Sequence, residues 1–306
     1  MLLILIAVDH GNYSIKTPNF SFVAGLAEHT VRPITDDYLE YDGRFWTLTE
    51  TRLHYMRDKT QDNRYFVLTL FAIIKELEKA SALSPSLTVE LAAGLPPEHY
   101  SVLKDRFASY LACNHPIQFT YKERHYSLSI PQVLIYPQAY AAVVANSNLA
   151  VKEMRLFLID IGGYTTDVLM IRNGKPDLQY CRSLECGTIT MYNEIKRKIN
   201  ARYDLRIDDE HISAVLSGRN TILSSEVKSE ICAATSSHAN SILNQLRELQ
   251  IDLRSNPAVF LGGGSLLLRP YLEKSNLVKN ASFISSTNAN AVGFKLLATT
   301  ALSRGR

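Results

Sequence analysis

The apolar positions of the chain fall into two similar series. The first opens with MLLILIAVD (residues 1–9), a continuous apolar run that predicts a strand covered on both faces and ends in Asp9. HGNYS reads as a turn, and IKTPNFSFVAGLA as a return strand with its neighbour. YDGRFWTL predicts a hairpin about Asp42-Gly43. Phe66, Leu70, Ile73, Ile74 and Leu77 recur at helical spacing, so a helix is expected over residues 64–80. LTVELAAGL follows as a strand, then a helix over 100–113. FTYKERHYSLSIPQVLIYPQ alternates like paired strands, and AYAAVVAN is a short helix. The second series begins near residue 151. RLFLIDIGGYTTDVLMIRNGKPDLQYCRSL predicts strand, turn, strand, an Asn173-Gly174 hairpin and a third strand. Helices are expected over 188–202 and 224–249. PAVFLGGGSLLLRPYLEK reads as strand, glycine turn and helix. ANAVGFKLLATTALS closes the series as a helix with Val292, Leu296 and Leu297 turned toward a sheet.

The duplication is the informative feature. ILIAVDHGNYSIK (4–16) and LFLIDIGGYTTDVLM (156–170) each run strand, aspartate, glycine turn, strand. Alternating strands and helices imply α/β layers, and two similar halves imply two lobes with a cleft between them. Composition agrees with a globular chain of that size: 306 residues, 46% hydrophobic and 21% charged, more than one core holds comfortably. A net charge of +3 gives no reason to expect direct nucleic-acid binding. The small basic run Lys196, Arg197, Lys198 reads as a solvated helix face. Cys113, Cys181, Cys186 and Cys232 form no C-x-x-C pair and no zinc spacing, which fits a reduced, cytoplasmic protein. The opening apolar run is too short for a signal peptide or a membrane span and is read as a buried strand.

The chemistry lies in the two turns. Successive backbone N–H groups in such a turn make a concavity for an anion, and glycine lets a phosphate come close. A carboxylate beside a phosphate is repelled unless a hydrated Mg²⁺ stands between them. Lys16, at the end of the first turn, has the reach to meet a β- or γ-phosphate as a point charge. Taken singly, each feature has a plain structural reading. Asp9-His10-Gly11 alone is an ordinary turn, Gly262-Gly263-Gly264 alone a tight strand-to-helix connection, and Lys16 alone a surface lysine.

The ordered set is what carries a resemblance. Asp9-His-Gly-Asn-Tyr-Ser-Ile-Lys16 resembles the first phosphate loop of the actin, DnaK-type chaperone and sugar-kinase ATPase superfamily. Asp160-Ile-Gly-Gly-Tyr-Thr-Thr-Asp167 resembles the second. Tyr136-Pro-Gln138-Ala resembles the first connecting helix, Leu261-Gly-Gly-Gly-Ser265 the adenosine motif, and Asn290-Ala-Val-Gly293 the second connecting helix. Within the superfamily the chain is most similar to ParM-like bacterial and archaeal actins. The resemblance implies a bilobed actin-like ATPase fold of two duplicated ribonuclease-H-like domains around a nucleotide cleft. Domain I would span 1–148, with the closing helix 289–306 packed back onto it, and domain II 149–288.

The same resemblance implies roles. Asp9 and Asp160 would hold the Mg²⁺ shell, largely through water. Backbone N–H groups of Gly11, Asn12, Tyr13 and of Gly162, Gly163, Tyr164 and Thr165 would cradle the phosphates of ATP or ADP, and Lys16 would neutralise their charge. Gln138 would orient the attacking water; an amide positions but is no strong base. Gly262, Gly263, Gly264 and Ser265 would admit the adenosine, with Leu266 and Leu267 against the base. Gly187 is placed near the ribose, and Glu226 and Lys228 at ribose or adenine. His10, Tyr13 and Tyr164 depart from the family pattern in both loops. The function implied is an ATPase that polymerises head-to-tail into nucleotide-dependent filaments and destabilises them on hydrolysis, for plasmid or DNA segregation. Its partners would be itself and a DNA-binding adaptor linking it to a centromere-like DNA site, with no membrane. Two alternatives share the fold: a small-metabolite kinase and a nucleotide-binding scaffold that does not polymerise.

Overall fold

The computed structural model describes residues 4–146 and 155–304. The chain divides into two compact units, Met1–Ser147 with Asn288–Arg306, and Asn148–Thr287. The 148/149 boundary expected from the sequence lies outside the described residues, as do the first three residues of the opening apolar run.

In the first unit the described strands are β1 (Ile4–His10), β2 (Ser14–Lys16), β3 (Ser21–Val23), β4 (Leu26–His29), β5 (Tyr38–Tyr41) and β6 (Arg44–Leu48). They are followed by α1 (Arg64–Lys79), β7 (Ser86–Leu95), α2 (Pro97–Leu111), β8 (Cys113–Tyr121), β9 (Arg124–Pro137) and α3 (Tyr140–Ala145). One sheet runs β3-β2-β1-β7-β9-β8-β5-β6-β4. β1, β7 and β9 are parallel neighbours, and β2 returns antiparallel on β1. The parallel strands need crossovers, which α1 and α2 help to supply. α1 starts where the Asp62 carboxylate accepts from the Arg64 amide at 2.9 Å, and from Tyr65 to Ile74 it is buried all round. The Asp42-Gly43 hairpin is as expected, both residues holding positive φ (53° and 68°). α2 begins three residues before the expected start, because Pro97 occupies its first turn, where a missing N–H costs nothing.

In the second unit the strands are β10 (Arg155–Ile161), β11 (Thr166–Arg172) and β12 (Lys175–Leu184), then α4 (Thr188–Tyr203), α5 (Asp209–Leu216), α6 (Ser225–Glu248), β13 (Ala258–Leu261), α7 (Gly263–Glu273) and β14 (Ala281–Phe283). The sheet order is β12-β11-β10-β13-β14, with β10, β13 and β14 parallel and β11 and β12 antiparallel. This repeats the β3-β2-β1-β7-β9 order of the first unit, so the duplication seen in the sequence is a duplication of topology. Ser224 caps α6 by accepting from the Val227 amide at 3.4 Å. In the basic run, Lys196 pairs with Asp209 and Lys198 with Glu194.

The last helix, α8 (Ala289–Arg304), returns to the first unit and packs on β1, β7 and α3. The expected packing face holds for Leu297, which packs against the buried cluster, and is corrected for Val292 and Leu296, which are 39% and 46% exposed. The buried face is Ala291, Phe294 and Ala298, joined by Ala7, Ala92 and Ala141. The reason is proximity. A Cβ on Gly293 would lie 1.9 Å from the Ala141 carbonyl oxygen, so the helices meet where only small residues fit. No helix among the described residues is long and apolar enough to cross a membrane.

Candidate functional site

Asp9 is the penultimate residue of β1 and is 2% exposed. The hairpin register Asp9↔Lys16 and His10↔Ile15 brings Lys16 beside it, with Nζ 3.7 Å from Asp9 Oδ2. The other carboxylate oxygen accepts from Gln138 Nε2 at 2.7 Å, across 129 residues of sequence. Because a carboxylate only accepts, the amide orientation follows: Oε1 is the end of Gln138 that can receive a hydrogen bond from water. Gly11 is required by the turn, since a Cβ there would lie 2.6 Å from the Ser14 carbonyl oxygen.

Side chains of α1 hold this hairpin in place. Tyr65 Oη donates to Asn12 Oδ1 at 3.2 Å, and Thr17 Oγ1 donates to the buried Glu76 at 2.7 Å, with Asn19 also on Glu76. His10 Nε2 lies 2.8 Å from Thr69 Oγ1, whose own hydrogen goes to the Tyr65 carbonyl at 2.7 Å. With that hydrogen spent, Thr69 Oγ1 can accept from His10 Nε2, and the other ring nitrogen, Nδ1, is buried, with the Val8 backbone as the neighbour the ring is hydrogen-bonded to. The ring also meets the Phe107 ring edge-on at 5.3 Å. Burial, and then the charge of Lys59, push its pKa down to about 3. His10 is thus a neutral core residue.

In the second unit Asp160 is buried near the end of β10, in register with Asp167 of β11 and Leu261 of β13. The loop after it is held largely by main chain: Gly162 N donates to Thr165 O, Thr188 N to Gly162 O, Ile189 N to Gly163 O and Gly187 N to Tyr164 O, and the Thr188 hydroxyl adds a bond to Gly162 O at 3.4 Å. The first N–H groups of α4 are therefore spent on the loop's own carbonyls. Gly187, expected near a ribose, is packed on this loop, where a Cβ would lie 2.5 Å from the Gly163 oxygen. Thr165 Oγ1 donates to Asp167 at 2.9 Å.

The glycine triplet divides its labour. Gly262 has φ of 83°, and a Cβ would lie 2.3 Å from Asp160 Oδ1. Gly264 packs against Ile161 and Thr188, and Ser265 turns its hydroxyl back to the Gly262 carbonyl at 2.8 Å. A Cβ on Gly263 would meet nothing within 4 Å, so this glycine faces open space at the start of α7. Leu267 packs on the hydrophobic core of the unit. Lys228 donates to the Thr221 carbonyl at 3.2 Å, and Glu226 lies exposed in the first turn of α6. Tyr13 is 40% exposed, and its carbonyl accepts from the Ala24 amide; Tyr164 is half-buried.

Within its own unit each loop therefore gathers its expected partners: Asp9, Lys16 and Gln138 in one, Asp160 and the glycine triplet in the other. Thr69, Tyr65 and Asn290 were not among the expected site residues. Among the described residues no group of three or more His, Cys, Asp and Glu side chains is gathered for a metal.

The repeated sheet order with an aspartate-glycine hairpin at the head of each sheet is the actin-like ATPase fold. Residues 158–274 match the family model described as archaeal actin homologue MreB-like, C-terminal. The solved archaeal actin homologue Ta0583 is similar over 98% of this chain and 100% of its own, with a TM-score of 0.76 and 19% identity. A ParM from a 15-stranded Clostridium botulinum filament is similar over 98% and 100%, with a TM-score of 0.74 and 18% identity. A Bacillus thuringiensis ParM solved with AMPPNP is similar over 99% of both chains, with a TM-score of 0.66 and 14% identity. Ta0583 has also been solved in complex with ADP, with a TM-score of 0.73 and 19% identity over 97% of this chain and 100% of its own. No curated protein matches the sequence.

Proposed function

We propose that the chain is an ATPase whose two loops act on one Mg-ATP, that it assembles into head-to-tail filaments in the nucleotide-bound state, and that hydrolysis destabilises them. The observation that carries this reading is the buried Asp9 with Gln138 on one oxygen and Lys16 on the other. A solitary buried carboxylate is costly, and this one is held by a water-positioning amide and a phosphate-binding cation rather than by packing. Bound Mg²⁺ would screen the carboxylates of Asp9 and Asp160 from the phosphates. Lys16 offsets phosphate charge, the loop amides other than that of Gly162, which is spent on the Thr165 carbonyl, donate to phosphate oxygens, and Gln138 Oε1 orients the attacking water without taking its proton. Gly263 leaves space for the nucleoside.

Nucleotide in the ADP- and AMPPNP-bound relatives, and filament formation in the Clostridium botulinum ParM, support binding and self-assembly. Plasmid or DNA segregation through a DNA-binding adaptor is the cellular role we propose with it. The test is light scattering and pelleting of the full chain at tens of micromolar with Mg-ATP, Mg-ADP and AMPPNP, alongside phosphate release. ATP-dependent scattering that decays as phosphate appears supports the reading. Binding and turnover without assembly would leave a non-polymerising scaffold, and turnover stimulated by a sugar would mark a metabolite kinase.

A further inference from the structure

Gln138 is presented by an unusual piece of backbone. Ala139, fully buried, has φ of 61° and ψ of −52°. The Tyr140 amide donates to the Gln138 carbonyl at 2.6 Å. These are the marks of a γ-turn with the central residue on the disfavoured side, a conformation that strains any residue with a Cβ. Three consecutive amides are each tied down. Gln138 N donates to the Leu95 carbonyl at 2.9 Å, Ala139 N to Asn290 Oδ1 at 2.9 Å, and Tyr140 N closes the turn itself. Only the middle tie comes from a side chain, and it comes from a residue 151 positions away. Asn290 is itself buried in the first turn of α8, which is seated by the close approach of Gly293 to Ala141 and of Phe294 to Gly94.

We infer that Asn290 is a positioning residue for hydrolysis: its Oδ1 holds the strained γ-turn that aims the Gln138 amide at Asp9. The inference rests on the role of Gln138 proposed above. Without the acceptor, the Ala139 amide is left buried and unpaired, and the turn relaxes to a conformation alanine prefers. Relaxation rotates the peptide groups on both sides of Ala139 and carries the Gln138 side chain with them. The loop amides that would meet phosphate belong to other segments and do not depend on the Ala139 turn for their own backbone geometry, so the loss is expected in turnover rather than in nucleotide affinity.

The experiment uses Asn290→Ala, Ala139→Gly and the double variant in the full chain, read by kcat, KM, ADP affinity and amide exchange at Ala139. Asn290→Ala is expected to lower kcat at least tenfold, leave KM and ADP affinity within twofold, and speed Ala139 exchange at least tenfold. Glycine enters this backbone region without strain, so the double variant is expected to recover most of the lost turnover. Parental kcat in Asn290→Ala, or a double variant that folds yet stays as slow as Asn290→Ala, overturns the inference. If Asn290→Ala fails to fold, the double variant is compared directly with the parent, and a tenfold deficit there counts against it. If the parent hydrolyses no nucleotide, the functional reading fails instead. Exchange still decides the clamp in that case, since unchanged protection at Ala139 in Asn290→Ala overturns it.

Discussion

Gly94 of β7 and Phe294 of α8 compete for one space: a Cβ on Gly94 would lie 2.0 Å from Phe294 Cζ. The ring is fully buried and stacks on Tyr136 at 6.4 Å, so it has nowhere to retreat. Gly94→Ala is expected to destabilise the chain by about 1–3 kcal/mol through overpacking, measured as a lowered denaturant midpoint. Adding Phe294→Leu should restore part of the loss. An unchanged midpoint in Gly94→Ala would contradict the packing described.

His10 gives the stability a pH dependence. Its folded pKa of about 3 lies below the ordinary value of 6.5. Between those values the unfolded chain binds a proton that the folded chain does not, so this contribution is complete above pH 6.5 and is lost as pH falls toward 3. His10→Gln keeps an N–H for Thr69 and removes the titration. The stability of the variant should fall less steeply than that of the parent over that window, by a few kcal/mol in total. Parallel pH profiles would show that His10 is not the source.

The first two glycines of the triplet, Gly262 and Gly263, should behave oppositely. Gly262→Ala is expected to lower stability by about 1–3 kcal/mol, since the residue holds positive φ against Asp160. Gly263→Ala meets open space in the first turn of α7 and should leave the melting temperature unchanged or slightly raised. Its effect is expected in nucleotide affinity, read by titration calorimetry with ADP. Equal affinity in Gly263→Ala and the parent would take Gly263 out of the site.

For hydrolysis, Gln138→Ala is expected to lower kcat about 10²-fold with ADP affinity retained, and to lengthen filament lifetime in the scattering assay. Asp160→Ala should lose Mg²⁺-dependent turnover while circular dichroism stays parental. Normal turnover in either variant would remove that residue from the mechanism.

Much of the fold was legible because its signals are local. Apolar runs ending in Asp9 and Asp160 marked the central strands, and Asn173-Gly174 marked its hairpin through the positive φ both residues adopt. What escaped was set by neighbours remote in sequence. Leu296 is as apolar as any core residue, yet α8 presses its small face inward because α3 lies so close at Gly293. The turn at Lys122-Glu123 holds positive φ in two residues with no preference for it, imposed by the strands on either side. β14 is three residues long, too short for a period to show. In the site, each loop was readable as a motif, but the Gln138–Asp9 bond spans 129 residues and the Asn290–Ala139 bond 151. The side chains of α1 beneath the first loop look like any buried stripe.

The two loops also differ in what they are anchored to. The first is bolted by side chains along the length of α1, at Tyr65, Thr69 and Glu76, a helix sunk in its core. The second is stapled by main chain to the very start of α4, through Gly162 with Thr188 and Gly163 with Ile189. α4 and its loop are therefore linked residue to residue through main chain, so a substitution that shifts the start of α4 is felt directly at Gly162 and Gly163, whereas the first loop is tied through side chains that can be removed one at a time.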